Sequence, residues 1–155
     1  MKSLELDPRH DFSEAARQLI ARLDDDLRAR YPEEGANHLR LDPEEIAPGR
    51  GVFVVARREG RALGCGAVRL NDPATAEIKR MFTLPESRGQ GVALAVLCFL
   101  EEAARGLGAR RVVLETGERQ PEAIALYAKC GFVRIEPFGE YLGSPLSVCM
   151  EKALP

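Results

Sequence analysis

One stretch restricts this chain more than any other: Met81-Phe82-Thr83-Leu84-Pro85-Glu86-Ser87-Arg88-Gly89-Gln90-Gly91-Val92-Ala93-Leu94. An extended run over residues 74–83 enters it, and an apolar, alanine-rich segment over residues 91–107, with helical character, leaves it. The turn between them holds Arg88 and two glycines. Small residues let the backbone approach a ligand closely and leave the first N–H groups of the helix pointing outward. A helix start carries partial positive charge and free donors, so it suits a phosphate or pyrophosphate. Arg88 adds a full charge. The stretch reads as an anion-binding strand–loop–helix.

The rest of the chain arranges itself around that unit. A helix is expected from Asp11, with Asp11 and Glu14 at capping-box spacing and Leu19, Ile20, Leu23 and Leu27 on one stripe. Pro32 stops it, and Pro32-Glu33-Glu34-Gly35 turns. Asp42-Pro43-Glu44-Glu45 opens a short second helix, which Pro48-Gly49 ends. Strands follow over residues 51–57, 61–70 and 74–83, joined by Arg58-Glu59-Gly60 and Asn71-Asp72-Pro73, so the three run antiparallel. After the motif helix comes a strand over 110–116, placed parallel to the 74–83 strand by a right-handed crossover. A helix opens at Pro121 and is capped by Gly131; strands over 132–135 and 146–152 complete the order.

Composition excludes several classes. The 155 residues are 45% hydrophobic and 30% charged, the balance of a single globular domain spanning residues 1–155. The net charge is −2 and no basic block stands out, which argues against nucleic acid as a partner. The longest apolar run, residues 92–100, is too short to span a bilayer, and the acidic N-terminal stretch has no signal core, so a cytoplasmic protein with no membrane partner is expected. Cys65, Cys98, Cys130 and Cys149 are scattered with no histidine nearby; reduced, buried thiols are expected, and neither a metal nor a disulfide framework. His10 and His38 read as surface residues.

Which anion the loop binds depends on spacing. A dinucleotide fingerprint needs Gly or Ala where Leu94 stands, and a P-loop needs Lys and Ser/Thr after Gly91; both fail. Arg88-Gly89-Gln90-Gly91-Val92-Ala93 fits Arg-x-x-Gly-x-Gly/Ala and resembles the pyrophosphate-binding motif of the GNAT (general N-acetyltransferase) superfamily. A second segment, Ala123-Ile124-Ala125-Leu126-Tyr127-Ala128-Lys129-Cys130-Gly131-Phe132, resembles the family's Ala-x-x-Leu-Tyr-x-x-x-Gly-Phe, one strand after the first. The two motifs, with the element order, cover residues 51–152. Gln120 departs from the asparagine that the family often places there against the CoA arm.

The resemblance implies an α/β GNAT fold: a mixed central sheet with helices on both faces, whose fourth and fifth strands run parallel and splay to bind acetyl-CoA. It implies a small acetyltransferase that moves an acetyl group to a primary amine of a small molecule or peptide by direct attack, with acetyl-CoA as cosubstrate. It allows a homodimer. Met81, Phe82 and Thr83 would hold the pantetheine arm through their backbone, and Arg88, Gly89, Gln90, Gly91, Val92 and Ala93 the pyrophosphate, with Gln120 on the CoA arm. Tyr127 would contact the cofactor and donate to the leaving thiolate. Glu77 is the first candidate base, with strand alternation putting it on one face with Lys79 and Met81, opposite Ile78 and Phe82. Glu115, near the end of the neighbouring strand, is the second. Residues 31–35, 39–46 and 138–141 are expected to recognise the acceptor, and Arg69, Lys79 and Arg80 hint at a carboxylate on it. The competing reading is a catalytically silent acyl-CoA-binding module on the same fold.

Overall fold

In the computed structural model, residues 3–33 and 41–155 are described. The turn at Glu34-Gly35, His38 and the first part of the 39–46 stretch lie outside them. The elements are strand β1 (Glu5–Arg9), helix α1 (Glu14–Arg30), strands β2 (Gly51–Arg58), β3 (Arg61–Asp72) and β4 (Thr75–Thr83), helix α2 (Val92–Gly106), strand β5 (Arg111–Gly117), helix α3 (Pro121–Lys129), and strands β6 (Val133–Ile135) and β7 (Ser147–Ala153). They build a seven-stranded sheet in the order β1-β2-β3-β4-β5-β7-β6, in which β4 and β5 alone are parallel neighbours.

The sequence pattern misses β1. Its Asp7-Pro8-Arg9 has no apolar alternation, and it pairs antiparallel with β2 at the edge of the sheet, where a proline is tolerated. Helix α1 begins two residues later than the capping-box spacing implies. Ser13, not Asp11, is the N-cap, and its Oγ accepts from the Ala16 N–H at 3.2 Å. The expected second helix is one 3₁₀ turn, Pro43–Ile46, with no side-chain cap from Asp42. It closes against β2 through His10, whose Nδ1 lies 2.9 Å from the Ile46 carbonyl and 3.0 Å from that of Gly51. Both partners are acceptors, so Nδ1 carries the proton.

The helices cover both faces. On one, Ala16, Leu19 and Leu23 of α1 pack with Phe53, Val55, Cys65, Ala67 and Phe82. On the other, Val92, Val96, Leu97 and Leu100 of α2 meet Val54, Val68, Ile78, Val112 and Leu114, with Tyr127 and Phe132 alongside. Cys65 and Cys149 are buried as expected, whereas Cys98 is exposed and Cys130 half-buried; all four are free. Cys98 lies on the outer face of α2, whose apolar stripe points the other way.

The middle of the sheet departs from regular geometry. Beyond Ala67↔Lys79, the next β3–β4 pair is Cys65↔Phe82, so Arg80 and Met81 together face Gly66. This is a β-bulge, and Arg80 sits in it with φ +62°. The extra residue corrects the face assignment made from alternation. Met81 packs with Ile78 on the α2 face, and Phe82 turns to the α1 face. Glu77 and Met81 therefore do not share a face.

Close approach of α2 to the sheet depends on Gly64. A Cβ there would lie 2.7 Å from Val92 Cγ1 and 2.8 Å from the Phe82 carbonyl oxygen. The first contact is the opening residue of α2, the second the backbone of β4. Gly64→Ala is expected to lower stability by about 1–3 kcal/mol, the usual cost of overpacking, read as a lower urea midpoint. An unchanged midpoint would mean that α2 moves off the sheet freely.

Candidate active site

The parallel pair opens partway along. β4 and β5 pair from Thr75↔Arg111 to Ile78↔Leu114 and no further. Each strand goes on with its other neighbour: β4 with β3 as far as Thr83, and β5 with β7 as far as Gly117. The bulge at Arg80 begins two residues past the last pair, and a bulge bends its strand and increases the local twist. A left-handed arginine costs of order 1–3 kcal/mol. Two contacts hold it. Its Nη1 donates to Asp24 Oδ1 of α1 at 2.7 Å, and Cys65 Sγ donates to its carbonyl at 3.4 Å. Burial pushes the Cys65 thiol up to about 12, against a smaller opposing pull from Arg80, so the sulfur keeps the proton it donates.

The split opens into a cavity of about 460 Å³. Its wall includes Ile78, Lys79, Arg80 and Met81 from β4, Glu115, Thr116 and Gly117 from β5, and Gln120, Ala123 and Tyr127 at the α3 end. Leu23, Leu27, Arg28 and Tyr31 of α1 and its C-cap close it from the other face, with Tyr141 and Leu146.

The α1 end is clasped to the β5–α3 loop. Tyr31 Oη accepts from the Arg119 N–H at 2.9 Å, and the Arg119 guanidinium lies 5.2 Å from the Tyr31 ring centre. Arg30 reaches Glu122 at 2.7 Å. Gly117 makes the clasp sterically feasible, because a Cβ there would strike the Tyr31 hydroxyl. The sequence offered no signal for this joint, since its partners are about 88 residues apart.

Of the predicted site residues, Met81, Gln120, Tyr127 and Glu115 line the cavity, and Phe82, Thr83 and Arg88 to Ala93 do not. Phe82 is a core side chain on the α1 face. Arg88 to Ala93 form the turn into α2. Gly89 has φ +76° and Gly91, the N-cap, φ +80°, and no side chain caps the helix. A Cβ at either glycine would meet nothing within 4 Å, so the backbone there borders open space. Arg88 is exposed, with Nε 3.3 Å from the Thr83 carbonyl. The Gln90 side chain is turned aside, accepting from Arg58 Nη1 at 2.8 Å.

Tyr127 is 5% exposed, edge-on to Phe132 at 5.7 Å between ring centres. Burial raises its pKa, the nearby Glu115 charge adds to this, and the hydroxyl stays protonated. Glu115 Oε2 lies 2.7 Å from Ser147 Oγ, which in turn lies 2.8 Å from Ser144 Oγ. Glu77 is 2% exposed and stands behind the cavity wall. It accepts from Tyr141 Oη at 2.7 Å, Asn71 Nδ2 at 3.0 Å and Arg69 Nη2 at 3.3 Å. Tyr141 lines the cavity, so Glu77 touches the site through that hydroxyl. Among the described residues no group of three or more His, Cys, Asp or Glu is placed to hold a metal, and no helix is long and apolar enough to cross a membrane.

The acetyltransferase (GNAT) family model matches residues 14–132. The chain belongs to the GNAT acetyltransferase family. A GNAT relative, the IAA acetyltransferase of Azospirillum brasilense, is 43% identical over 144 residues, which make up 92% of this chain and 93% of the relative. A Klebsiella pneumoniae structure assigned as an acyl-CoA N-acyltransferase superposes with a TM-score of 0.80 at 32% identity, covering 97% of each chain. An Elizabethkingia anophelis GNAT acetyltransferase with acetyl-CoA bound shares the fold, with a TM-score of 0.71 at 16% identity over 99% of this chain and all of that one. This GNAT protein is an acyltransferase, and its mixed sheet with the β4–β5 parallel pair is the family fold.

Proposed function

We propose that this GNAT protein is an acetyl-CoA-dependent N-acetyltransferase that acylates the primary amine of a small molecule by direct attack. The observation that carries the reading is the split beyond Ile78↔Leu114, which puts Tyr127 and Glu115 in one cavity; the β4 strand that forms one lip runs on towards the α2 start, which no side chain caps. The residues present fit the cosubstrate. The Gly89–Gly91 backbone leaves room for a pyrophosphate against the first N–H groups of α2, with Arg88 as counter-charge. Backbone groups of Met81, Phe82 and Thr83 would hold the pantetheine arm, with Gln120 and Tyr127 farther along the wall. Bound acetyl-CoA supplies an activated acyl thioester.

The chain's own groups divide the remaining work. Glu115 accepts a proton from the incoming amine, held in place by Ser147. The Tyr141–Glu77 pair offers a second path, in which the Tyr141 oxygen takes a hydrogen bond from the cavity while its own proton points to Glu77. Beyond Ile78 the β4 backbone leaves the β5 ladder, and a backbone N–H there would face a developing oxyanion. Tyr127, kept neutral by burial, donates to the departing thiolate.

Acetyl-CoA is expected to raise the melting temperature, since binding to the native state alone adds about 2.7 kcal/mol at a hundredfold excess over Kd. Arg88→Ala should weaken that shift by removing a charge-assisted phosphate contact. A melt unmoved by saturating acetyl-CoA would refute the proposal.

Tyr127→Phe keeps the ring and removes one hydroxyl. Turnover should fall about ten- to a hundredfold with acetyl-CoA affinity nearly unchanged, the pattern of an interaction made in the transition state. If acetyl-CoA binds and no amine releases CoA, the protein is a silent acyl-CoA-binding module.

Glu115→Gln should lose rate most at low pH, where the amine arrives protonated, and recover part of it as pH rises. Glu77→Gln should lower the rate without changing the shape of the profile, because it disturbs a buried network. A Glu115→Gln profile superimposable on wild type would move the proton acceptor to the Tyr141–Glu77 path.

A further inference from the structure

We infer that the acceptor is a small amino carboxylate, with its amine held at Glu115 and its carboxylate at Lys79, Arg80 and Arg28. The inference deepens the proposed N-acetyltransferase reading and rests on it. It begins where the sheet opens. Lys79 and Arg80 are the first two β4 residues past the last paired residue, Ile78, and Glu115 is the first β5 residue past Leu114. Continued pairing would have set Lys79 opposite Glu115. The split instead makes them two lips of one cavity, cationic on β4 and anionic on β5.

Both lips face the α1 side. Leu114 belongs to the α2-face core, so alternation turns Glu115 to the other face. Arg80 reaches Asp24 of α1, and Lys79 Nζ lies 3.5 Å from Glu140, beside the Tyr141 that bonds Glu77. Tyr127 and Met81 belong to the α2-face core. The cavity is thus divided, with the thioester side toward α2 and α3 and the charged side toward α1.

The wall presents charged groups of both signs. Among the described residues, Arg28, Lys79 and Arg80 line the cavity with one carboxylate, Glu115. Asp25, Glu140 and Asp24, which lie within 3.5 Å of these cations, do not line it. Two of the cations are also poorly hydrated, with side-chain exposure of 4% for Lys79 and 10% for Arg80. A desolvated cation facing a cavity favours an anionic ligand, because Coulomb attraction there is only weakly screened. Arg80 holds this place at the expense of a left-handed backbone. Arg28, 62% exposed, stands at the solvent side.

The cavity has room for a small acceptor. About 460 Å³ must take the acyl end of the cosubstrate as well as the acceptor, and the α1 clasp and Tyr141 close the α1 side. A molecule the size of an amino acid fits what remains. Its ammonium and carboxylate match the two lips in sign.

Matched acceptors test the inference by thiol release: L-amino acids, their carboxamides, and the corresponding decarboxylated amines. The acids should exceed both neutral series by at least about tenfold in kcat/KM, mostly through KM. Lys79→Met should shrink that preference to within about twofold, and Lys79→Arg should restore part of it. Arg28→Ala, at an exposed position where folding is not at stake, should reduce it about twofold to threefold. Equal or better turnover of the neutral series, or no turnover of any amino acid, overturns the inference. If neutral amines are turned over and acetyl-CoA still raises the melting temperature, the N-acetyltransferase reading survives that result. If acetyl-CoA neither binds nor is consumed, both fail.

Discussion

The structure depends on a hydrogen-bond ladder that stops. β4 and β5 share four residue pairs and then part, although each continues in the sheet through its other neighbour. A continuous sheet here would leave no cavity, and Tyr127 and Glu115 would lie on opposite faces of a closed wall. Backbone groups that lose partners inside a protein must find others, so an opening of this kind is tolerated where a ligand or water can meet them. The pantetheine arm proposed for this gap would fill that need as an added strand does at a sheet edge.

The bulge at Arg80 governs what the opening displays. One inserted residue reverses the side-chain alternation between Lys79 and Phe82, sending Met81 to the α2 face and Phe82 into the α1 core. It aims the Arg80 guanidinium at Asp24 and so ties β4 to α1 on the acceptor side. The buried thiol of Cys65 contributes a weak hydrogen bond to the same residue, a structural use for a cysteine that has no redox partner.

Behind the wall lies a polar layer in which Glu77, Arg69, Glu45, Asn71 and Tyr141 pair with one another, leaving Glu45 Oε2 and Arg69 Nε without a hydrogen-bond partner among the described residues. Burying charge is tolerable only with such pairing. The layer fixes Tyr141 and, through its neighbour Glu140, the side of the site where Lys79 stands. Acceptor recognition and sheet stability are therefore linked: groups that shape the charged side of the cavity are also the partners of otherwise uncompensated buried ions.

The sequence alone determined the family, the strand–loop–helix with its two glycines, the parallel crossover, and most element boundaries. These are local properties. Glycines, prolines and apolar periods act within a few residues, and both motifs lie on single elements. It also singled out Tyr127 and, as candidate bases, Glu77 before Glu115; the fold brings Tyr127 and Glu115 into one cavity and leaves Glu77 behind its wall. Tertiary structure decided the rest. β1 has no periodic signal because it is a short edge strand held by pairing rather than by burial. The Ser13 cap took precedence over the Asp11 spacing through local geometry that no pattern distinguishes. The faces of Glu77 and Met81 parted because a bulge is invisible to strict alternation. Tyr141 met Glu77, and Tyr31 met Gly117, across separations of more than sixty residues. Contacts of that kind follow from the packing of the whole chain, and no short stretch of sequence contains them.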